Sequence, residues 1–148
     1  MIDHLVQQLS TKEGFYSEPG SASEASVSEI EHELGLAFPE SYREFLLKYS
    51  FVEWFGHVIC GICRDRECSA SYFTKKARAM ELPDSDFVRI PDESVVIEPY
   101  GGGGYYVLFC KGSDRVGEVA LFAHDALGKE VESWTSFEDY LAYKLSVS

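Results

Sequence analysis

Residues 26–50, SVSEIEHELGLAFPESYREFLLKYS, carry two helical stripes separated by a glycine and a proline, and they constrain what the rest of the chain can fold into. Ser28 with Glu31 has the spacing of a capping box, in which the hydroxyl accepts a free backbone N–H and the carboxylate reaches back to the cap; Ser26 with Glu29 offers the same pattern two residues earlier. Val27, Ile30 and Leu34 share one face at helical spacing, and Gly35 suits a left-handed stop. Pro39 suits the first position of a second helix, where a missing N–H leaves no hydrogen bond unmade. Tyr42, Phe45, Leu46 and Tyr49 then form an i, i+3, i+4, i+7 stripe, opposite Glu40, Arg43, Glu44 and Lys48, with Glu44 and Lys48 as a favourable i, i+4 pair. Two helices packed on a core are expected, which specifies an architecture and no reaction.

Outward from this pair, Ile2, Leu5, Val6 and Leu9 predict a short opening helix, and residues 11–25, rich in Ser, Gly, Glu and Pro, predict a loop. Residues 51–56 form a connection and 57–63 a buried strand; residues 69–80 predict a helix that Pro83 and Asp84 end. Strand composition recurs at 87–90, 95–97, 105–110, 118–122 and 131–134, with turn chemistry at Pro91-Asp92, 101–104 and 112–114. Connections this short favour antiparallel neighbours. Thr135 with Glu138 reads as a further capping box, ahead of a closing helix marked by Phe137, Tyr140, Leu141 and Leu145. The expectation is an α+β fold, N-terminal helices and a C-terminal helix packed on a mainly antiparallel sheet, in a single domain over residues 1–148.

Charge excludes some partners. Thirteen Lys and Arg against 25 Asp and Glu give −12, so direct contact with a nucleic-acid backbone or an anionic membrane begins with repulsion, whereas a basic protein is attracted. No run approaches the roughly 20 apolar residues of a membrane span, and MIDHLVQQLS lacks the organisation of a secretion signal; a cytoplasmic location is expected. In a reducing compartment the four cysteines read as buried thiols rather than a disulfide framework.

Few constellations suggest chemistry. His57, Cys60, Cys63 and Cys68 have ligand types that zinc favours, but on a strand Cys60 and Cys63 point to opposite faces, and no second pair follows. The glycine run 101–104 leads into a strand-like segment instead of the helix that a phosphate loop requires, so a hairpin turn is expected. There is no G-x-S-x-G, and the neighbours His124 and Asp125 diverge on a strand. Asp84 with Asp86, and Asp92 with Glu93, read as turn and capping residues, and His4 and His32 fall outside the apolar stripes of their helices. No catalytic set, metal site or cofactor site is expected. What remains is an unusual supply of aromatics in or beside loops next to acids, a composition found in protein interfaces. Glu53, Trp54, Phe55, Tyr72, Tyr100 and Tyr105 are the candidate partner-binding residues, with Trp134 beside them, and burial in the core is the competing expectation for each aromatic.

The order Ile30-Glu31-x2-Leu34-Gly35-x3-Pro39-x2-Tyr42-x2-Phe45-Leu46-x2-Tyr49 resembles the opening pattern of the SUKH superfamily, which includes fungal cell-wall synthesis regulators and bacterial immunity proteins. Gly103-Gly104-Tyr105-Tyr106-Val107-Leu108, Gly117-Glu118-Val119, His124-Asp125 and Ser136-Phe137-Glu138-Asp139-Tyr140-Leu141 resemble its later motifs in the same order. After Tyr49 that family often has Asn-Gly or Gly-Gly where this chain has Ser50-Phe51, and Tyr140 replaces the usual Phe. The resemblance implies an α+β domain without catalysis that acts by binding a protein, in bacteria mainly as immunity to polymorphic, often nuclease, toxins. A regulatory module of the cell-wall type is the alternative.

Overall fold

The computed structural model describes residues 2–81 and 86–147. Helix α1 (Ile2–Leu9) buries Ile2, Leu5, Val6 and Leu9, as their spacing predicts. Helix α2 (Glu24–Leu34) starts earlier than expected, because the capping box is built from Ser23 and Ser26. The Ser23 hydroxyl accepts from the Ser26 N–H at 3.1 Å, and the Ser23 N–H donates to the Ser26 hydroxyl at 2.8 Å. A serine at the third helical position thus does the work expected of a glutamate. Glu31 is left to brace the corner instead: its carboxylate accepts the Phe38 N–H at 2.7 Å and the Arg43 guanidinium. Gly35 closes α2 at φ 68°, and Pro39 caps helix α3 (Glu40–Tyr49) from just outside it. Tyr42, Phe45 and Leu46 are buried, and Lys48 meets Glu44 at 2.9 Å.

Helix α3 ends on Ser50 at φ 64° and ψ −54°, a tight positive-φ turn that glycine adopts more readily than other residues, closed by the Phe51 N–H on the Tyr49 carbonyl at 2.7 Å. The resembling pattern carries Asn-Gly or Gly-Gly here. Here a fully buried serine holds the conformation, its hydroxyl donating to the Glu18 carbonyl at 3.0 Å and paired with the Ser21 hydroxyl at 2.6 Å.

Two segments expected to be irregular pair into a small antiparallel sheet. Strands β1 (Tyr16–Ser17), β2 (Val52–Trp54) and β3 (His57–Ile59) lie in that order, with Tyr16 opposite Glu53 and Trp54 opposite His57. Strands this short show no alternation to detect. The run expected to extend to residue 63 stops at Ile59, and the Cys60 N–H bonds the Ile97 carbonyl at 2.7 Å, tying the small sheet to the larger one.

The larger sheet is an antiparallel meander of β4 (Ser94–Pro99), β5 (Gly104–Phe109), β6 (Val119–Ala123) and β7 (Lys129–Trp134). Helix α4 (Ala70–Ala79) covers one face, where Ala77 and Ile90 meet Val96, Tyr105, Val107, Phe109 and Phe122. Helix α5 (Phe137–Val147) and α3 cover the other, where Tyr42, Phe45, Phe137 and Leu141 join Val95, Leu108, Val119 and Leu121. Burial on both faces explains why β4 to β6 read as continuous apolar runs. The expected strand at 87–90 does not form: Phe87 and Ile90 are buried, but the Val88 N–H bonds the Leu127 carbonyl in a loop. Ser136, rather than Thr135 with Glu138, accepts the first-turn N–H of α5, from Asp139 at 3.0 Å. The α+β expectation holds, with its helices on an antiparallel sheet.

One irregularity in β4 matters for function. Val96 pairs with Val107, but Glu98 pairs with Tyr106, so Ile97 is an extra residue in a bulge. Without it Glu98 would be in phase with Val96 and face α4; the bulge turns it to the α5 side with Tyr106. The following turn needs its glycines, since a Cβ on Gly104, at φ 130°, would lie 2.2 Å from the Phe122 carbonyl oxygen.

Candidate functional site

An open cleft of about 680 Å³ lies where the β2–β3 turn meets the end of β4 and α5. The turn is Phe55-Gly56, with Gly56 at φ 78° and the Phe55 N–H bonded to the Glu13 carbonyl at 3.0 Å. That bond fixes the turn and leaves the Phe55 ring 79% exposed at the cleft edge. Behind it Trp54 is 4% exposed and stacks on His57, with ring centroids 5.1 Å apart. Its indole N–H has no hydrogen-bond partner among the described residues. Across the cleft Tyr100 stands edge-on to Tyr106 at 5.9 Å, and Glu53 and Glu67 contribute acids.

The cleft floor holds a buried charged network. Lys144 and Glu98 are each 5% exposed, and the Lys144 ammonium donates to the Glu98 carboxylate at 3.1 Å. Tyr140 donates its hydroxyl to the other Glu98 oxygen, and the Val58 N–H bonds the same carboxylate. Lys144 also meets His57 Nδ1 at 3.1 Å and lies 5.8 and 5.9 Å from the ring centres of Trp54 and Tyr106. Burial pushes the Glu98 carboxyl above the usual carboxylate range, although Lys144, Tyr140 and Val58 all favour its charged form. Burial first, then Lys144 and Lys12, hold His57 below the ordinary imidazole value.

An acid, a base and an ammonium converging in a cleft invite a catalytic reading. The hydrogen bonds favour a strut. Glu98 uses both oxygens inside the network and Lys144 is engaged by two partners, so β3, β4 and α5 are held to one another by groups already bonded. A buried pair satisfied in this way is the arrangement that low dielectric requires.

Of the six residues expected to bind a partner, Glu53, Trp54, Phe55 and Tyr100 line this cleft. Tyr72 and Tyr105 do not. Tyr72 lies on α4, edge-on to Phe73, with the Arg66 guanidinium 5.5 Å and the Lys76 ammonium 5.9 Å from its ring. Tyr105 is 8% exposed on the α4 face of the sheet, against His124. His57, Glu98, Tyr106 and Lys144 were not expected at the site. Two signals were present: Glu98 is the lone acid in an apolar run, and Lys144 falls on the i, i+4, i+7 face of Phe137 and Leu141.

The cysteines divide into two kinds. Cys60 and Cys110 are buried free thiols, burial pushing Cys110 up to about 12. Cys63 and Cys68 form a disulfide, which overturns the expectation of four thiols; the turn 64–67 folds their Cα atoms to 6.0 Å apart. Among the described residues no group of three His, Cys, Asp or Glu side chains is arranged to hold a metal ion. Asp84 lies outside the described residues, while Asp92 and Glu93 are exposed beside β4. Of residues 101–104, expected as a hairpin turn, 101–103 form the β4–β5 turn and Gly104 opens β5. No described helix is long and apolar enough to cross a membrane.

The family model described as SUKH_5, SMI1-KNR4 cell-wall, matches residues 2–146. No curated protein matches the chain.

Proposed function

The chain belongs to the SMI1-KNR4 family of the SUKH superfamily, and on that premise we propose that it is a non-catalytic immunity protein that binds and neutralises a polymorphic nuclease toxin domain in a bacterial cytoplasm. Protein binding is the role at the level of the family. The observation that carries the finer reading is the net charge of −12 combined with a cleft edged by Phe55, Glu53 and Glu67. A nuclease domain holds phosphates with Lys and Arg, and an acidic protein is steered toward that surface and occupies it. The absence of catalysis is part of the proposal, supported by the mutual bonding of Glu98, Lys144 and His57.

Co-expression with the toxin domain encoded beside the gene tests the reading. Restored growth with a co-purifying complex is expected; continued killing with no complex overturns it. The family description favours a second reading, a regulatory module of cell-wall synthesis with a non-toxic partner. A toxin gene next to this one favours immunity, and a gene standing apart from any toxin favours regulation.

A further inference from the structure

We propose that the cleft between the β2–β3 turn and Tyr100 is a socket for one arginine side chain presented by the partner protein, a proposal that rests on the reading of the chain as a protein-binding module.

Charge selects a cation. Within the lining, Glu98 is matched by Lys144, and the depressed His57 is neutral at pH 7, which leaves Glu53 and Glu67 uncompensated. Neither of these two makes an ion pair among the described residues, and Lys12, which acts on His57 electrostatically, is outside the lining. The aromatic walls suit the same cation. Lys144 already lies over Trp54 and Tyr106 from the protein side, while Phe55 offers its exposed ring to solvent. A guanidinium stacks flat on such rings while its fork of N–H donors reaches two carboxylates, which a compact ammonium does less well. Behind these walls the buried indole N–H of Trp54 has no hydrogen-bond partner among the described residues, so its signal reports on a change in the cleft wall. The cleft exceeds a single side chain, so the flanking main chain has room.

The whole protein, titrated with the peptide Ac-Gly-Arg-Gly-NH2 and followed through its two tryptophan indole N–H signals by two-dimensional NMR, tests the socket. The Trp54 signal and the Phe55 amide are expected to shift saturably, with weaker binding of the lysine peptide and no saturation by the isosteric citrulline peptide. Glu53→Gln combined with Glu67→Gln is expected to weaken the arginine peptide at least tenfold with an unchanged far-UV spectrum, since neither residue is buried. Equal shifts with citrulline, saturation by a leucine peptide instead, or protein-concentration-dependent shifts that reveal a second copy in the cleft would each overturn the proposal. The same double variant in the toxin co-expression assay separates the two readings. Protection and complex formation that persist undiminished sink the socket and leave immunity standing, whereas a wild-type protein that forms no complex sinks immunity alone.

Discussion

The two faces of the β4–β7 sheet are both buried, yet they are built from different chemistry. Beneath α4 the interface is apolar, Val96, Tyr105, Val107, Phe109 and Phe122 against Ala77 and Ile90, with the Thr74 hydroxyl spent on the Val96 N–H at 2.9 Å. Beneath α5 an equally apolar layer is interrupted by Glu98 and Lys144, and the cleft opens directly above them. One bulged residue, Ile97, makes the difference, because it turns Glu98 from the first face to the second. A buried ion pair is weak evidence for stability, since well-packed apolar residues of similar volume do as well or better. The first face therefore holds the fold together, and the second sets α5 in one position and shapes a site.

The largest effect is expected where that contrast is sharpest. Lys144→Ala leaves Glu98 buried and unpaired, at a cost of about 3–5 kcal/mol, read as a lower urea midpoint. The double substitution Glu98→Leu with Lys144→Met removes both charges at similar volume, and its stability is expected to match or exceed that of the wild type. A double variant as unstable as the single one would mean that the network contributes more than mutual compensation. On the other face Val107→Ala deletes two methyl groups where nothing charged is nearby; about 0.8 kcal/mol for each, plus a cavity term, gives about 2 kcal/mol. That loss should be the same at every pH between 5 and 8.

The same contrast decides what was legible in the sequence. The helices at 2–9, 24–34, 40–49 and 137–147 were visible because each carries a 3.6-residue stripe, and β4 to β6 because both of their faces are apolar. The α2 cap lies five residues before Ser28, because Ser26 and Ser28 carry the Ser-x-x-Glu pattern whereas the box that forms pairs Ser23 with a second serine, Ser26, which that pattern does not include. The strands β1 and β2 were missed because two or three residues have no period. At the site, Trp54 and Phe55 stood out as aromatics beside an acid, but Glu98 and Lys144 come together only through the β4 bulge, across a sequence separation of 46 residues. No local pattern encodes that meeting. Tyr72 and Tyr105 were drawn in by composition alone, and the period-2 alternation of β5 sends Tyr105 to the face opposite Tyr106.

A smaller effect is expected at the crossing between the two sides. The chain passes from β3 on the α5 side to α4 on the other through the turn that the Cys63–Cys68 disulfide closes, and Glu67 of that turn reaches the cleft. Cys63→Ser with Cys68→Ser frees a short loop in the unfolded chain, worth up to about 2 kcal/mol by loop-closure entropy. Because the turn is on the surface, the loss should be uncoupled from Val107→Ala and add to it within about 0.5 kcal/mol. It should also loosen Glu67, so that arginine-peptide binding falls in the serine variant and in dithiothreitol, while the α4 face is unaffected.

The smallest effect separates the faces by pH. His57 titrates below the ordinary imidazole value in the folded protein, so over the window just under pH 6.5 the unfolded chain binds more protons than the folded one. Stability then rises with pH through that window and is lost as pH falls through it, with a slope of less than one proton. Glu98 acts with the opposite sign: its raised value makes the folded state bind more protons above pH 4.5, so its contribution falls as pH rises from there. Asp3 and Glu40, lowered by their lysine partners, contribute stability lost only as pH falls below the ordinary carboxylate values of about 4. Below pH 6.5 the rising His57 contribution stands against the falling one of Glu98, and His57→Gln should remove the upward part while Val107→Ala leaves it intact. Protonation also adds a positive charge beside Lys144, so arginine-peptide binding should weaken across the same window in the wild type and not in His57→Gln. A stability profile that keeps its rise in His57→Gln would move the titrating group off the cleft floor, and with it the electrical asymmetry between the two faces.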